Sequence, residues 1–204
     1  MDKDGEMQVR IKSFEDLTKR ELYEILRLRV DVFVVEQACP YPEIDGKDYD
    51  AIHIYLENQG QILAYARVYE EEGQVHIGRV IAKERRKGHA TLILKETIRA
   101  AREKYQAKKI TIEAQTYAKK LYEKVGFVEN SEVFLLDGIE HIKMLLDLTN
   151  CKNKNIAENI FPGPKVPTKE EIKKLTDKAL VNQNHAEPVD KAFEEIWDEI
   201  NKEN

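Results

Sequence analysis

Apolar and polar residues alternate with period two over residues 8–14, which predicts an edge strand, and the period then lengthens to that of a helix. Thr18-Lys19-Arg20-Glu21 is a capping box, and Leu22, Ile25, Leu26, Arg29, Val30 and Phe33 follow it at helical spacing. Two strand-like runs, residues 51–56 and 62–69, flank Asn58-Gln59-Gly60 and predict a hairpin. A turn at Glu72-Gly73 leads into a further apolar run over residues 75–82. After residue 89 the helical period returns, with Ala90, Leu94, Ile98 and Ala101 on one face and Lys95, Glu96, Arg99, Arg102 and Glu103 on others. Residues 110–114 read as a strand. Residues 133–136 and 139–146 read as a last hairpin around Asp137-Gly138, a two-residue type I′ signal.

The pattern changes near Leu148. Residues 150–155 are polar, and the prolines and glycine of residues 161–167 exclude regular structure. Thr168-Lys169-Glu170-Glu171 is a second capping box and opens a short charged helix through Leu175 and Leu180. Val189, Phe193, Ile196, Trp197 and Ile200 then form a narrow apolar stripe on another helix. The chain therefore divides into an α/β domain over residues 7–148 and a linker with a two-helix extension over residues 149–204. Packing of that stripe back onto the domain and a contact with a second copy or another partner both remain open.

The candidate chemistry is concentrated where strand gives way to helix. Residues 85–90, Arg85-Arg86-Lys87-Gly88-His89-Ala90, form a basic glycine-containing turn between the apolar run and the following helix. A helix N-terminus presents unpaired N–H groups and partial positive charge, which suit phosphate oxygens. Gly88 lets the backbone approach such an anion, and Ala90 keeps the helix start slim. Gly88 has no partner glycine at the Walker spacing, and the three-glycine dinucleotide fingerprint is absent as well. Further along, Tyr122, Gly126 and Phe127 stand in a Tyr-x-x-x-Gly-Phe sequence that ends a short helix, with Gly126 suited to the left-handed C′ position.

Arg85, Gly88 and Ala90 resemble the pyrophosphate loop of the GNAT family of N-acetyltransferases, and Tyr122, Gly126 and Phe127 resemble its second motif. Residues 28–41 with Asp45-Gly46-Lys47-Asp48, residues 77–80 and residues 137–144 are similar to the ElaA-like branch of that family. The resemblance implies a GNAT fold, a mixed splayed sheet flanked by helices, with acetyl-CoA as cosubstrate. It implies that backbone N–H groups of residues 86–91, including His89, Ala90 and Thr91, hold the pyrophosphate while Arg85, Arg86 and Lys87 add positive potential. Backbone groups of Val80, Ile81 and Ala82 would pair with the pantetheine arm as an added strand does. Gln115 stands where many relatives have asparagine and keeps an amide for the cosubstrate. Tyr122 would protonate the departing thiolate.

For the base that relieves the amine of its proton, Glu113 and His141 are the leading candidates, and Glu36 and His53 also qualify by residue type. The acidic run Glu43, Asp45, Asp48 and Asp50 reads as a solvated loop, with attraction of a cationic amine as the alternative. Cys39 has no adjoining activating residue and reads as packing.

Composition narrows the partners. A net charge of −5 argues against nucleic acid, and no apolar run reaches membrane-spanning length. The charged start of the chain lacks a signal-peptide core, and two cysteines, Cys39 and Cys151, make neither a disulfide framework nor a metal pattern. A cytoplasmic, metal-free protein is the expectation, with a homodimer open. The expected activity is acetyl transfer to a primary amine of a small molecule, protein or peptide by direct attack. The alternative is a non-catalytic acyl-CoA sensor, although a sensor has no need of a general acid at Tyr122.

Overall fold

The computed structural model describes residues 7–149 of the 204-residue chain. Strand β1 (Gln8–Ser13) leads to helix α1 (Lys19–Arg29), which continues as a π-helix over Val30–Glu36. Strands β2 (Ile52–Asn58), β3 (Gln61–Glu71) and β4 (Gln74–Ala82) form a meander, and helix α2 (His89–Tyr105) carries the chain to β5 (Lys109–Gln115). A 3-10 turn (Thr116–Ala118), the short helix α3 (Lys119–Glu123) and strands β6 (Val128–Glu129), β7 (Phe134–Leu136) and β8 (Ile139–Asp147) complete the element order. The strands make one sheet in the order β1-β2-β3-β4-β5-β8-β6, with β7 also pairing β8. Only β4 and β5 run parallel, as their helical crossover requires.

Local sequence accounts for the joints. The Thr18 hydroxyl accepts the Glu21 N–H at 3.2 Å while the Glu21 carboxylate accepts the Thr18 N–H at 2.8 Å, closing the capping box. Asp137 and Gly138 both have positive φ, 51° and 79°, the type I′ geometry that matches strand twist. The first hairpin turns on Gln59 and Gly60 alone, since Asn58 still pairs with Gln61.

Two apolar clusters cover the two faces of the sheet. The larger packs Ile93, Leu94 and Ile98 of α2 against Ile54, Val68, Ile77, Ile112 and Met144 of five strands. The smaller sets Ile25 and Leu28 of α1 against Tyr55, Ile62, Tyr65 and Ile81. Because α1 covers only the β2–β4 side, the α1 face of β4, β5 and β8 stays open and becomes a floor. Among the described residues no helix is long and apolar enough to cross a membrane. The predicted extension over 149–204 lies, beyond Thr149, outside the described residues.

Candidate active site

The sheet is incomplete at its centre. Strands β4 and β5 pair only at Val75↔Ile110 and His76↔Thr111, then diverge, so one edge of β4 from Ile77 onward faces a gap. On its other edge β4 carries a bulge: the register with β3 steps from Tyr65↔Ile81 to Arg67↔Gly78, leaving Arg79 and Val80 opposite Ala66 alone. Arg79 takes a left-handed backbone, φ 56°, which costs a non-glycine residue about 1 kcal/mol. The gap opens into a cleft of about 1490 Å³, larger than the roughly 300–1,000 Å³ that suits an ordinary small ligand.

At one end of this cleft the turn after β4 meets α2. Gly88 is the N-cap, in the left-handed region with φ 82°, and the first helical bond runs from the Leu92 N–H to the Gly88 carbonyl. The amides of residues 88–91 therefore have no intrahelical acceptor, and neither a side-chain cap nor an acidic first-turn residue competes for them. A Cβ on Gly88 would meet nothing within 4 Å, so the space in front of the amides is open. These four amides are a donor set that fits a pyrophosphate.

The predicted cosubstrate residues are not all alike. Val80, Ile81, Ala82, Arg85, Arg86, Gly88, Ala90, Thr91 and Gln115 line the cleft, whereas the side chains of Lys87 and His89 do not. Arg85 is largely exposed and donates to Glu36 at 2.7 Å, so part of its charge is met by the end of the π-helix. Gln115 exchanges two amide hydrogen bonds with Gln37, at 3.2 and 3.0 Å. Its amide is thus a brace between β5 and the end of the π-helix, at a place where the residue also lines the cleft.

Tyr122 is held by the end of α3. The Phe127 N–H bonds to the Tyr122 carbonyl at 3.2 Å and the Gly126 N–H to that of Glu123 at 3.0 Å, with Gly126 at φ 95°. These are the two bonds of a Schellman motif, and its customary apolar contact is the edge-on packing of Phe127 against Tyr122, 6.1 Å between centroids. The Tyr-x-x-x-Gly-Phe spacing is therefore a device for fixing one phenol. Tyr122 lines the cleft, and burial, with Tyr117 adding in the same direction, pushes its pKa well above the ordinary tyrosine value.

The open floor carries the candidate bases. Strand alternation puts Ile110, Ile112 and Ala114 in the core under α2, so Glu113 and Gln115 face the cleft side, as does His141 opposite Gln115. The His141 Nδ1 lies 2.9 Å from the Ile139 carbonyl, which can only accept, so the neutral ring presents its lone pair at Nε2. Glu113 lies 3.4 Å from Lys143 Nζ. His53 is excluded: it is fully buried, with Nδ1 on the Tyr65 hydroxyl and Nε2 on the Asp48 carbonyl.

The acidic loop departs in part from its expected solvated state: Asp45 and Asp50 are exposed. Glu43 and Asp48 are buried. Arg29, wholly buried in the last turn of α1, donates to Glu43 at 2.9 Å and to Asp48 at 2.6 Å. Arg67 holds Asp48 at 2.8 Å and chelates Asp45, while Arg79 reaches Glu43 at 2.6 Å. The Arg79 guanidinium also sits 5.7 Å from the ring centroids of both Phe33 and Tyr41, contacts that offset the strained backbone beneath it. Three arginines against three carboxylates leave no net charge, so Glu43 and Asp48 anchor the loop from inside, while Tyr41, Pro42, Asp45 and Lys47 border the cleft. Arg29 stands at a helical apolar position in the sequence, and that placement was the one signal of its burial.

Comparison with known proteins is consistent across sequence and structure. The family model described as an acetyltransferase (GNAT) domain matches residues 19–148. A UPF0039 protein of Schizosaccharomyces pombe is 40% identical over 142 residues, spanning 67% of this chain and 95% of its own. The solved structure of an acyl-CoA N-acyltransferase from Pseudomonas aeruginosa is 38% identical, covers 69% of this chain and 99% of that one, and gives a TM-score of 0.65. The crystal structure of Escherichia coli ElaA gives 0.66 at 33% identity, covering 69% of this chain and 99% of its own.

Proposed function

The chain belongs to the GNAT acetyltransferase family, and from that membership we propose that it transfers an acetyl group from acetyl-CoA to a primary amine by direct attack. The observation that carries this reading is the coincidence, in one cleft, of the β4–β5 gap, the uncapped α2 N-terminus and the buried phenol of Tyr122. Acetyl-CoA supplies an activated thioester. The amides of residues 88–91 hold its pyrophosphate, and the free edge of β4 pairs with its arm through Val80, Ile81 and Ala82.

On the open floor the amine nitrogen bonds to the acetyl carbon as the carbon–sulfur bond breaks. The lone pair of His141 Nε2 takes the proton that the amine must lose, and Glu113 draws the ammonium form toward the floor. Tyr122, kept protonated by burial, gives its proton to the departing sulfur. Holding both reactants in one cleft supplies much of the rate, and no covalent enzyme intermediate is required.

The test is release of CoA thiol when the protein meets acetyl-CoA and a panel of primary amines, with acetyl-CoA affinity measured by calorimetry. Wild type should turn over at least one amine, and Gly88→Glu, which sets a negative charge before the amides, should lose acetyl-CoA binding. Binding of acetyl-CoA without thiol release for any amine would favour a non-catalytic sensor. Equal affinity in wild type and Gly88→Glu would remove the pyrophosphate assignment.

A further inference from the structure

Gly78 occupies the middle of β4, a place where glycine weakens a strand and nothing in the protein asks for it. Its φ lies outside the left-handed region, so conformation does not require it. A Cβ built there would meet one atom, Arg67 Nε, at 4.0 Å, an ordinary contact, so packing does not require it either. Gly78 borders the bulge at Arg79 and Val80, but the left-handed backbone there belongs to Arg79, and the other use of glycine inside a strand is to let a ligand approach closely.

The surroundings identify which ligand. Val75 and Ile77 point into the core under α2, so His76 and Gly78 point to the open floor. Across β3 the neighbours of this pair are Tyr69 and Arg67. Tyr69 and His76 stack, with centroids 5.4 Å apart and planes 17° from parallel, and the His76 ring makes no hydrogen bond to a described residue. Continuing the β4–β5 register past His76↔Thr111 sets Glu113 across the gap from Gly78. Gly78, His76, Arg67 and Glu113 all line the cleft. The bare backbone at 78 is thus a one-side-chain depression, walled by a stacked imidazole, with a carboxylate across the gap and the bulge of β4 at its end.

We infer that Gly78 is the seat of the nucleophile: the amine nitrogen and its first carbon rest on the backbone that the missing side chain leaves open. The ligand class is a primary amine seated in its free form, since the Arg67 guanidinium is the group nearest the seat, with Glu113 and the His76 ring as its other neighbours. The inference rests on the acetyltransferase reading and deepens it by giving the acceptor a place. Gly78 is a positioning residue, since it supplies space and no chemistry.

Gly78→Ala tests it, because the added methyl fits the protein but fills the seat. The expected result is an unchanged or raised melting temperature, unchanged acetyl-CoA affinity, and a fall of about 10- to 100-fold in kcat/KM for the amine, as misplacement of a reactant produces. Gly78→Val should deepen the fall with acetyl-CoA affinity still unchanged. Weakened acetyl-CoA binding in either variant would assign the space to the thioester and overturn the inference. Equal kcat/KM in an active wild type and Gly78→Ala would overturn it while leaving the acetyltransferase reading intact. A wild type that binds acetyl-CoA but acetylates no amine would overturn both.

Discussion

On the proposed mechanism, the Tyr122 hydroxyl is the group that separates an acyltransferase from a protein that only holds acyl-CoA. Tyr122 is buried to 7% exposure, and its hydroxyl bonds to no other described residue. Burial disfavours the phenolate, so the group stays a proton donor through neutral and mildly alkaline pH. Tyr122→Phe removes the donor and keeps the ring that packs on Phe127. The expected outcome is intact acetyl-CoA affinity and a loss of about 10²-fold in kcat, the low end of general acid catalysis, because a thiolate leaves readily. The sign for pH follows from the raised pKa: loss of the acid moves to higher pH, so no alkaline fall assignable to Tyr122 should appear below about pH 10, the ordinary tyrosine value. Steady-state kinetics between pH 6 and pH 10 check both statements, and equal kcat in the two proteins with chemistry rate-limiting would reduce Tyr122 to packing.

Elements differ in how far their sequence announces them. Thr18 and Glu21, Asp137 and Gly138, and Tyr122 with Gly126 and Phe127 are each close in the chain, so the groups that interact are also the groups that form the pattern. The loop over residues 37–48 is the opposite case. Gln37 meets Gln115 and Arg67 meets Asp45 and Asp48 only after the sheet brings them together, and an acidic run written in one dimension looks solvated. The π-helix over Val30–Glu36 left no mark in the apolar spacing, which reads as continuous helix. His76 carries no local pattern, and Gly78 enters the sequence reading only within residues 77–80 of the family resemblance, because the face they share with Glu113 is set by the sheet.

The loop also carries a pH dependence. Burial works to raise the Asp45 carboxyl, but Arg67 and then Arg79 outweigh it and hold the pKa at about 2, against an ordinary 3.8. Asp48 is lowered likewise, with Arg29 and Arg67 overcoming its burial. A folded pKa below the unfolded one gives stability that is full above the unfolded pKa and lost as pH falls through the folded value. The melting temperature should therefore hold from pH 7 to about pH 5 and drop steadily toward pH 2, and Asp45→Asn should flatten the drop. A thermal scan series that shows the same slope in the variant would detach the loop from acid stability.

At the scale of the whole molecule, the described fold closes on itself. Among the described residues two apolar clusters pack on the sheet, and the Leu148 N–H bond to the Lys108 carbonyl at 2.9 Å ties the end of β8 to the start of β5. Every group assigned to the cleft lies before Asp147. A core with its own packed helices and paired strands has what an independent domain needs. We therefore propose residues 7–148 as the catalytic domain, and a chain ending at Thr149 should melt cooperatively and bind acetyl-CoA as the full chain does. The stripe of Val189, Phe193, Ile196, Trp197 and Ile200 decides the other half of the outcome, because an exposed apolar row is a liability in a monomer. If those residues cover part of the domain, the shortened chain should melt lower at unchanged mass; if they join copies, light scattering should show the mass per particle fall from dimer to monomer. A shortened chain without a folded circular dichroism spectrum would make residues 150–204 part of the core and move the domain boundary to the end of the chain.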